Sequence, residues 1–358
     1  MAADEFDVIR TLFAPVATHP GARGLRDDAA VFEPGGPMVI TTDAIVEGVH
    51  FLPDDPIATV AMKAVRVNVS DLIGKGAKPV AGLVTLIWPN SRPAEDLRYF
   101  ADAIAGEFDS FGIALLGGDT SSSEGPLTVS VTLMGQPLGP RTPARADALP
   151  GEDVWLAGGD IGSSWMGLQL RSGAMKLDEL KRDRDEAAAK AESEQLKGEM
   201  PDFLVLPGEE FDAEAAWLMS LYLAPMLRTE CAGLVAAFAR ASMDVSDGLI
   251  ADARKLAAAS KLKLRIEANA IPFSHPALRW IFSGGDVRNL ISGGDDYVVL
   301  FTADAAQRGA IEALDPDGGL RLSRIGQTLE GEGVEFVDRA GAPLPLDGFD
   351  GFAHRLGR

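Results

Sequence analysis

Apolar and polar positions alternate with a period of two where Leu127, Val129, Val131 and Leu133 are separated by Thr128, Ser130 and Thr132. That spacing predicts a half-buried strand. "GPMVITTDAIV" (36–46) has the β-rich composition of another. Between them the period lengthens to that of a helix. "DPIATVAMKAVRVNVSDLIGKGAKP" (55–79) predicts a helix that stops at the Gly-Lys-Gly-Ala-Lys-Pro breaker. "RPAEDLRYFADAIAGEFDSFG" (92–112) predicts a second, amphipathic one, with Pro93 near its start and Gly112 near its end. Strands alternating with helices predict an α/β or α+β layer for this part of the chain.

A second unit opens with "LPGEDVWLAGGDIGSSWMGLQL" (149–170), where Leu149–Gly151 reads as a boundary turn and Val154–Ala157 as a short strand. The domains expected are thus 1–148 and 149–358. After Arg171 the chain becomes rich in Ala, Glu and Lys with charges of both signs, which predicts a solvated insertion over about 171–215. Regular structure is expected again from "EEFDAEAAWLMSLYLAPMLR" onward. In "MDVSDGLIAD" (243–252), Leu249, Ile250, Ala253, Leu256 and Ala257 fall at helical spacing, so a helix begins there with Ser246 and Asp247 at its start.

With 358 residues the chain is long enough for two domains, and 46% hydrophobic with 24% charged residues is a globular composition. Charge changes the picture more. Fifty-three acidic against 33 basic residues give a formal charge of −20. Nucleic acid and anionic membranes are bound through Lys and Arg, so neither is the expected partner. The single cysteine, Cys231, cannot form an intramolecular disulfide, which points to a reducing cytoplasm. It sits on an apolar helical stretch and reads as a buried, inert thiol. "MAADEFDVIR" is acidic and does not read as a signal peptide, and no uncharged apolar run approaches the ~18–20 residues of a membrane span.

CxxC, HExxH, Walker A and GxSxG patterns are absent, and four histidines make a His-based metal site a poor expectation. What recurs is aspartate beside Gly, Ser or Thr next to strand-like runs. These are "RDDAAVF" (Asp27, Asp28), "TTDAIVEGVHF" (Asp43), "NVSDLIGKGA" (Asp71), "LLGGDTSSS" (Asp119), "MDVSDGL" (Asp244, Asp247) and "SGGDDYVVLF" (Asp295, Asp296). Each alone reads as a turn or a cap. Together, placed where strand ends meet loops, they read as carboxylates that could share one crevice. Two such charges ~4 Å apart repel by ~4 kcal/mol at an effective dielectric of 20, so a cluster protonates or binds cations. Oxygen-only ligands suit a hard ion such as Mg²⁺, which also bridges carboxylate to phosphate. An acidic chain could thereby bind a polyphosphate.

In this order, "DDAAVF", "TTDAIVEGVHF", "VNVSDLIGKGAKP", "LLGGDTS", "MDVSDGLIAD", "SGGDDYVVLFT" and the tail "GFDGFAH" closely resemble the thiamine-monophosphate kinase family. That family belongs to an ATP-binding superfamily with aminoimidazole ribonucleotide synthetase and selenophosphate synthetase. The resemblance implies a two-domain PurM-like fold, α/β and α+β. Its N-terminal α/β domain forms a β-barrel with a second subunit, its C-terminal domain is α+β, and the active site lies between the domains. It implies transfer of the γ-phosphoryl group of ATP to thiamine monophosphate, with several Mg²⁺ ions, in a homodimer. By the same resemblance, Asp28, Thr41, Thr42, Asp43, Asp71, Asp119, Asp244 and Asp247 are metal ligands. Gly118, Asp119, Arg145 and Ser246 contact ATP. His50, Asp295 and Phe349 contact the phosphate acceptor, and no side chain acts as a covalent or acid–base group.

The chain departs from the family pattern in three places. Arg26 stands where the first motif has glycine, Asp295 stands where the family has glutamate, and the charged insertion after Arg171 is long. Three alternatives remain on the residues alone: another synthetase of the superfamily, a non-catalytic nucleotide or metal sensor, and an acidic Ca²⁺-binding protein. The lack of any Cys before Cys231 disfavours selenophosphate synthetase, and tandem DxDxDG loops for Ca²⁺ are missing.

Overall fold

Val129, Val131 and Leu133 are buried, and the hydroxyl residues between them are half-exposed. The alternation therefore makes a strand covered on one face, as its period requires. The computed structural model describes residues 5–176, 211–315 and 318–353. Most of the charged insertion expected over 171–215 lies outside the described residues, as does His354. The chain divides into two compact units, Met1–Thr142 and Pro143–Arg358.

In the first unit a short helix α1 (Glu5–Val8) and a 3-10 turn (Pro20–Leu25) precede a four-stranded sheet. Its strands are β1 (Val39–Val46), β2 (Ala77–Pro89), β3 (Ala114–Ser123) and β4 (Thr128–Pro137). They lie in the order β1-β4-β2-β3, with β2 and β3 parallel and the other pairs antiparallel. Helices α2 (Ile57–Gly74) and α3 (Asp96–Phe111) cover one face. The breaker after α2 is shorter than expected, because β2 already begins at Ala77, within the Ala-Lys-Pro of that motif. Helix α3 ends at Gly112 in the left-handed conformation, with φ 68°. The other face carries Ile40, Thr42 and Ala44 of β1, opposite Met134, Thr132 and Ser130 of β4, and Leu83 and Thr85 of β2 beyond them. Ile40 on this face is 65% exposed.

The second unit is built on a six-stranded sheet of β5 (Asp153–Ala157), β6 (Ala241–Val245), β7 (Lys263–Glu267), β8 (Val298–Ala303), β9 (Ser323–Leu329) and β10 (Gly333–Val337). The order is β10-β7-β9-β5-β8-β6. Among the described residues the helices are α4 (Ser163–Arg171), α5 (Phe211–Leu223), α6 (Cys231–Phe238), α7 (Leu249–Ser260), α8 (His275–Phe282), α9 (Val287–Ser292) and α10 (Arg308–Glu312). Leu156, Met243, Val245, Ile250, Leu264 and Leu300 form part of one buried cluster between this sheet and α7. β5, β6 and β8 are buried along their whole length, so they show no alternation of buried and exposed positions, and the polar Asp153, Ser242, Asp244 and Thr302 are buried with the rest. Among the described residues no helix is long and apolar enough to cross a membrane.

Candidate functional site

The first unit gathers its polar residues where α2 crosses β1. Asn68 and Asp71 are three apart and share one face of α2. Asn68 Oδ1 accepts the Asp43 N–H at 2.9 Å, and the Thr41 hydroxyl donates to Asp71 Oδ2 at 2.5 Å. Thr41 and Asp43 thus stand on the helix-covered side of β1. Thr42 points to the other face, where its hydroxyl donates to the Val131 carbonyl at 3.3 Å and accepts from Thr132. Asp28 is exposed just after the 3-10 turn, and its N–H is held by Asp27 Oδ1 at 2.9 Å. Asp27 is paired with Arg23, and that hydrogen bond holds its carboxyl below the usual range.

Asp43 and Asp119 correct the expectation that the carboxylates sit at strand ends. Both lie within strands, Asp43 in β1 and Asp119 in β3. β1 and β3 are the two edges of the sheet, where polar side chains are tolerated because one side of each strand has no neighbour. Three strand spacings separate them, roughly 14 Å. Within one sheet these two carboxylates do not meet. Gly118, beside Asp119, is required for packing: a Cβ there would come within 1.8 Å of the Val84 carbonyl oxygen.

His50 follows β1. Its Nδ1 accepts the Val46 N–H at 3.0 Å, so the proton of the neutral ring sits on Nε2. Lys63, buried in α2, donates to the His50 carbonyl at 3.0 Å and fixes the turn from below.

In the second unit, Asp244 is buried in β6 and the chain then turns through Ser246 and Asp247 into α7. The expected cap geometry is reversed. Gly248, φ 100°, occupies the cap position and makes no side-chain cap bond. Instead, fully buried Asp252 reaches back from the first turn, and its Oδ2 accepts the N–H groups of both Ser246 and Asp247 at 2.9 Å. Lys255 donates to Asp252 Oδ1 at 2.7 Å and is also bonded to Asp247 Oδ2. Burial raises the Asp252 pKa against the pull of Lys255. Burial alone would lower Lys255, but its bonds to Asp247 and Asp252 outweigh that and raise it.

The "GGDDY" segment is tied to this turn. Asp295 N–H bonds the Ser246 carbonyl and Tyr297 N–H the Val245 carbonyl, each at 2.8 Å. Asp295 and Tyr297 both adopt positive φ, 62° and 50°, a costly conformation for tyrosine. The Tyr297 hydroxyl donates to Asp295 Oδ1 at 2.9 Å. Asp296 turns the other way: its Oδ1 accepts Gly162 N–H at 2.9 Å at the start of α4, beside a cavity of about 170 Å³. Its pKa is raised well above the ordinary value by burial, with the charges of Asp295 and Asp160 adding to the rise.

The tail docks on the same helix start. Phe352 N–H bonds the Asp247 carbonyl at 3.0 Å, Asp350 pairs with Arg254 at 2.8 Å, and a Cβ on Gly351 would strike Ala251 and the Asp247 carbonyl at 2.6 Å. Phe349 is thereby held with Arg288 stacked over its ring, 4.6 Å from the centroid. Arg145 is exposed and its carbonyl accepts from Ser260 at 2.7 Å. Cys231 opens α6 as a buried thiol, pushed up to about 12 by desolvation.

Asn68, Asp252, Lys255, Tyr297 and Arg288 carry no role on sequence reasoning, yet they hold the residues that do. Only Asp252 left a trace in the sequence, as an acceptor a helical turn past a Ser-Asp-Gly start. Among the described residues no three His, Cys, Asp or Glu side chains form a group that could hold a metal ion. The donors nevertheless suit a hard divalent cation. They are all oxygens, and Asp247 already holds a cation in the Lys255 ammonium. An ion that keeps waters and needs only one or two carboxylates plus phosphate oxygens fits such a set.

Residues 26–136 match the family model for the N-terminal domain of AIR synthase related proteins. The thiamine-monophosphate kinase of Caulobacter vibrioides is 34% identical over 337 residues, covering 92% of this chain and 85% of that one. The solved thiamine-monophosphate kinase of Stenotrophomonas maltophilia superposes with a TM-score of 0.70 at 32% identity, covering 89% of this chain and 91% of the other. AaThiL complexed with AMPPCP and TMP superposes with a TM-score of 0.67 at 28% identity, covering 87% of each chain. The two-unit α/β architecture is the PurM-like fold of these structures, and this chain belongs to the thiamine-monophosphate kinase family.

Proposed function

We propose that this chain transfers the γ-phosphoryl group of ATP to thiamine monophosphate, releasing thiamine diphosphate and ADP. The observation that carries the reading is the likeness to a thiamine-monophosphate kinase over 92% of the chain. In the reaction an acceptor phosphate oxygen bonds the γ-phosphorus as the bond to the β,γ-bridging oxygen breaks, and that electron pair leaves with ADP. Such a transfer asks for in-line positioning and charge neutralisation rather than a covalent protein group.

Magnesium is the ion the oxygen donors suit, and it supplies the neutralisation that a chain of charge −20 lacks. Asp28, Thr41, Thr42, Asp43, Asp71 and Asp119 of the first unit would hold such ions, as would Asp244 and Asp247 of the second, several ions in all. Gly118, Asp119, Arg145 and Ser246 serve the nucleotide. His50 offers its Nε2–H to the acceptor, while Asp295 and Phe349, fixed by Tyr297 and Arg288, meet its cationic and aromatic parts.

The working form is a homodimer. Its support is the open sheet face with exposed Ile40, and the separation of Asp43 from Asp119 at opposite sheet edges. A second copy that lays its β1 beside β3 closes the sheet and brings its Asp43 to Asp119. The lone buried thiol suits a reducing cytoplasm. The test is an ATP-dependent assay of the purified chain against thiamine monophosphate, thiamine and aminoimidazole precursors. Thiamine diphosphate formation is expected from the first alone, and turnover of another acceptor without it overturns the substrate assignment.

A further inference from the structure

Lys255 lies on α7, two turns into the helix and against the second unit's polar turn, and has no part in the reading above. Its ammonium is shared by two carboxylates of unequal exposure. Asp252 is fully buried and committed through Oδ2 to the N–H groups of Ser246 and Asp247. The Asp247 side chain is 31% exposed, and that of Lys255 is 39% exposed. The two bonds therefore differ in kind. The bond to Asp252 belongs to the frame of the turn. The bond to Asp247 is made by the one carboxylate of the pair that solvent, and a solute ion, can reach.

We propose that Lys255 is a built-in counter-cation for Asp247, which competes with a divalent cation for that carboxylate while staying anchored on Asp252. The proposal rests on the reading of Asp247 as a metal-holding residue. A carboxylate oxygen already bonded to an ammonium is a poor ligand until the ammonium leaves, and two cations at one carboxylate repel. Four-carbon lysine stems let the ammonium swing without moving the backbone. The Asp252 bonds to Ser246 and Asp247 need not change when it does. Lys255 thus keeps Asp247 neutralised and oriented, and weakens the affinity of this position for free cation. Phosphate oxygens, arriving with their own metal, restore that affinity, so nucleotide and cation are taken up together.

The probe is Mn²⁺, followed by electron paramagnetic resonance on the full chain. Lys255→Met and Lys255→Gln are each expected to bind free Mn²⁺ about tenfold more tightly than wild type, which is about 1.4 kcal/mol. The gain should vanish when either is combined with Asp247→Asn. Equal or weaker Mn²⁺ binding in both variants overturns the proposal. Wild-type protein gives a second readout that no misfolded variant can spoil. Acetic anhydride labelling of Lys255, read by mass spectrometry, should rise when Mn²⁺ is added, because the ammonium gives up Asp247. A chain that forms thiamine diphosphate but shows no such rise sinks this inference and leaves the functional reading standing. One that forms none, and whose Lys255 ignores Mn²⁺, overturns both.

Discussion

Asp43→Asn and Asp119→Asn, each inactive alone, should restore activity to one another when the two chains are mixed. The reasoning starts from the sheet order β1-β4-β2-β3, which sets the two aspartates three strand spacings apart, roughly 14 Å. One Mg²⁺ takes oxygens at about 2.1 Å, so two of its ligand atoms lie no more than about 4 Å apart. A single sheet therefore cannot offer Asp43 and Asp119 to one ion, whereas β1 of one copy beside β3 of another sets them on neighbouring strands, Asp43 from the helix-covered face and Asp119 from the face it shares with Thr85. In a mixed dimer one centre then carries both substitutions and the other carries neither. Random exchange of equal amounts makes half the dimers mixed, and half the centres in those are intact, so activity returns to roughly a quarter of wild type. The assay is thiamine diphosphate formation after co-refolding or co-expression of two differently tagged chains, with the mixed species purified through both tags. Purified mixed dimers should show about half the wild-type rate. If each subunit assembles its own complete set, every centre in the mixture carries one substitution and no activity returns. That result refutes the shared-edge argument even if the protein proves dimeric.

Three further outcomes follow from the second unit and α2. Asp252→Ala removes an acceptor shared by two backbone N–H groups at about 1.5–3 kcal/mol each, less the cost of burying that carboxylate. With Lys255 part-exposed and adding little, the net loss is about 3 kcal/mol, or a Tm lower by about 6–12 °C; a fall of under 2 °C in scanning calorimetry contradicts it. Asp296 binds its proton more tightly folded than unfolded, so the stability it contributes is present below about pH 4 and lost as pH rises through the folded value. Asp296→Asn, which mimics the neutral acid, should flatten the fall in Tm between pH 4 and 8, and parallel curves for the two proteins would refute the assignment. Asp71→Asn should lower turnover by about 10²–10³ with an unchanged circular dichroism spectrum, and near-wild-type activity removes Asp71 from the metal set.

Strands and helices were legible wherever burial is one-sided. β4 alternates because α2 covers only one of its faces, and α3 is amphipathic for the matching reason. β3 was harder to read. "LLGGDTSSS" looks like a turn because Gly, Asp and Ser favour turns, yet it forms a continuous edge strand. Pairing along β2 outweighs propensity there, and Gly118 is glycine because the Val84 carbonyl leaves no room for a Cβ. The fully buried strands of the second unit lose their period altogether, so only their length and the surrounding Gly-rich turns mark them.

The candidate site divides along a similar line. Aspartates that face solvent or an edge recur with Gly, Ser and Thr, and that recurrence can be read from the chain. The groups that hold them cannot, because each acts across a distance that spacing does not encode. Asn68 reaches Asp43 from another element, and Arg288 reaches Phe349 across sixty-one positions. Lys255 is the instructive case. At eight residues from Asp247 it falls beyond the first helical turn, and a lysine in an Ala-rich helix reads as a solvated face. Only the reversed cap, with Asp252 drawn inward by two backbone N–H groups, makes a buried negative charge that needs a cation on the same side of α7. The polar turn is thus specified twice. Sequence marks the carboxylates that are candidates to meet a ligand, and packing selects the lysine that bridges two of them.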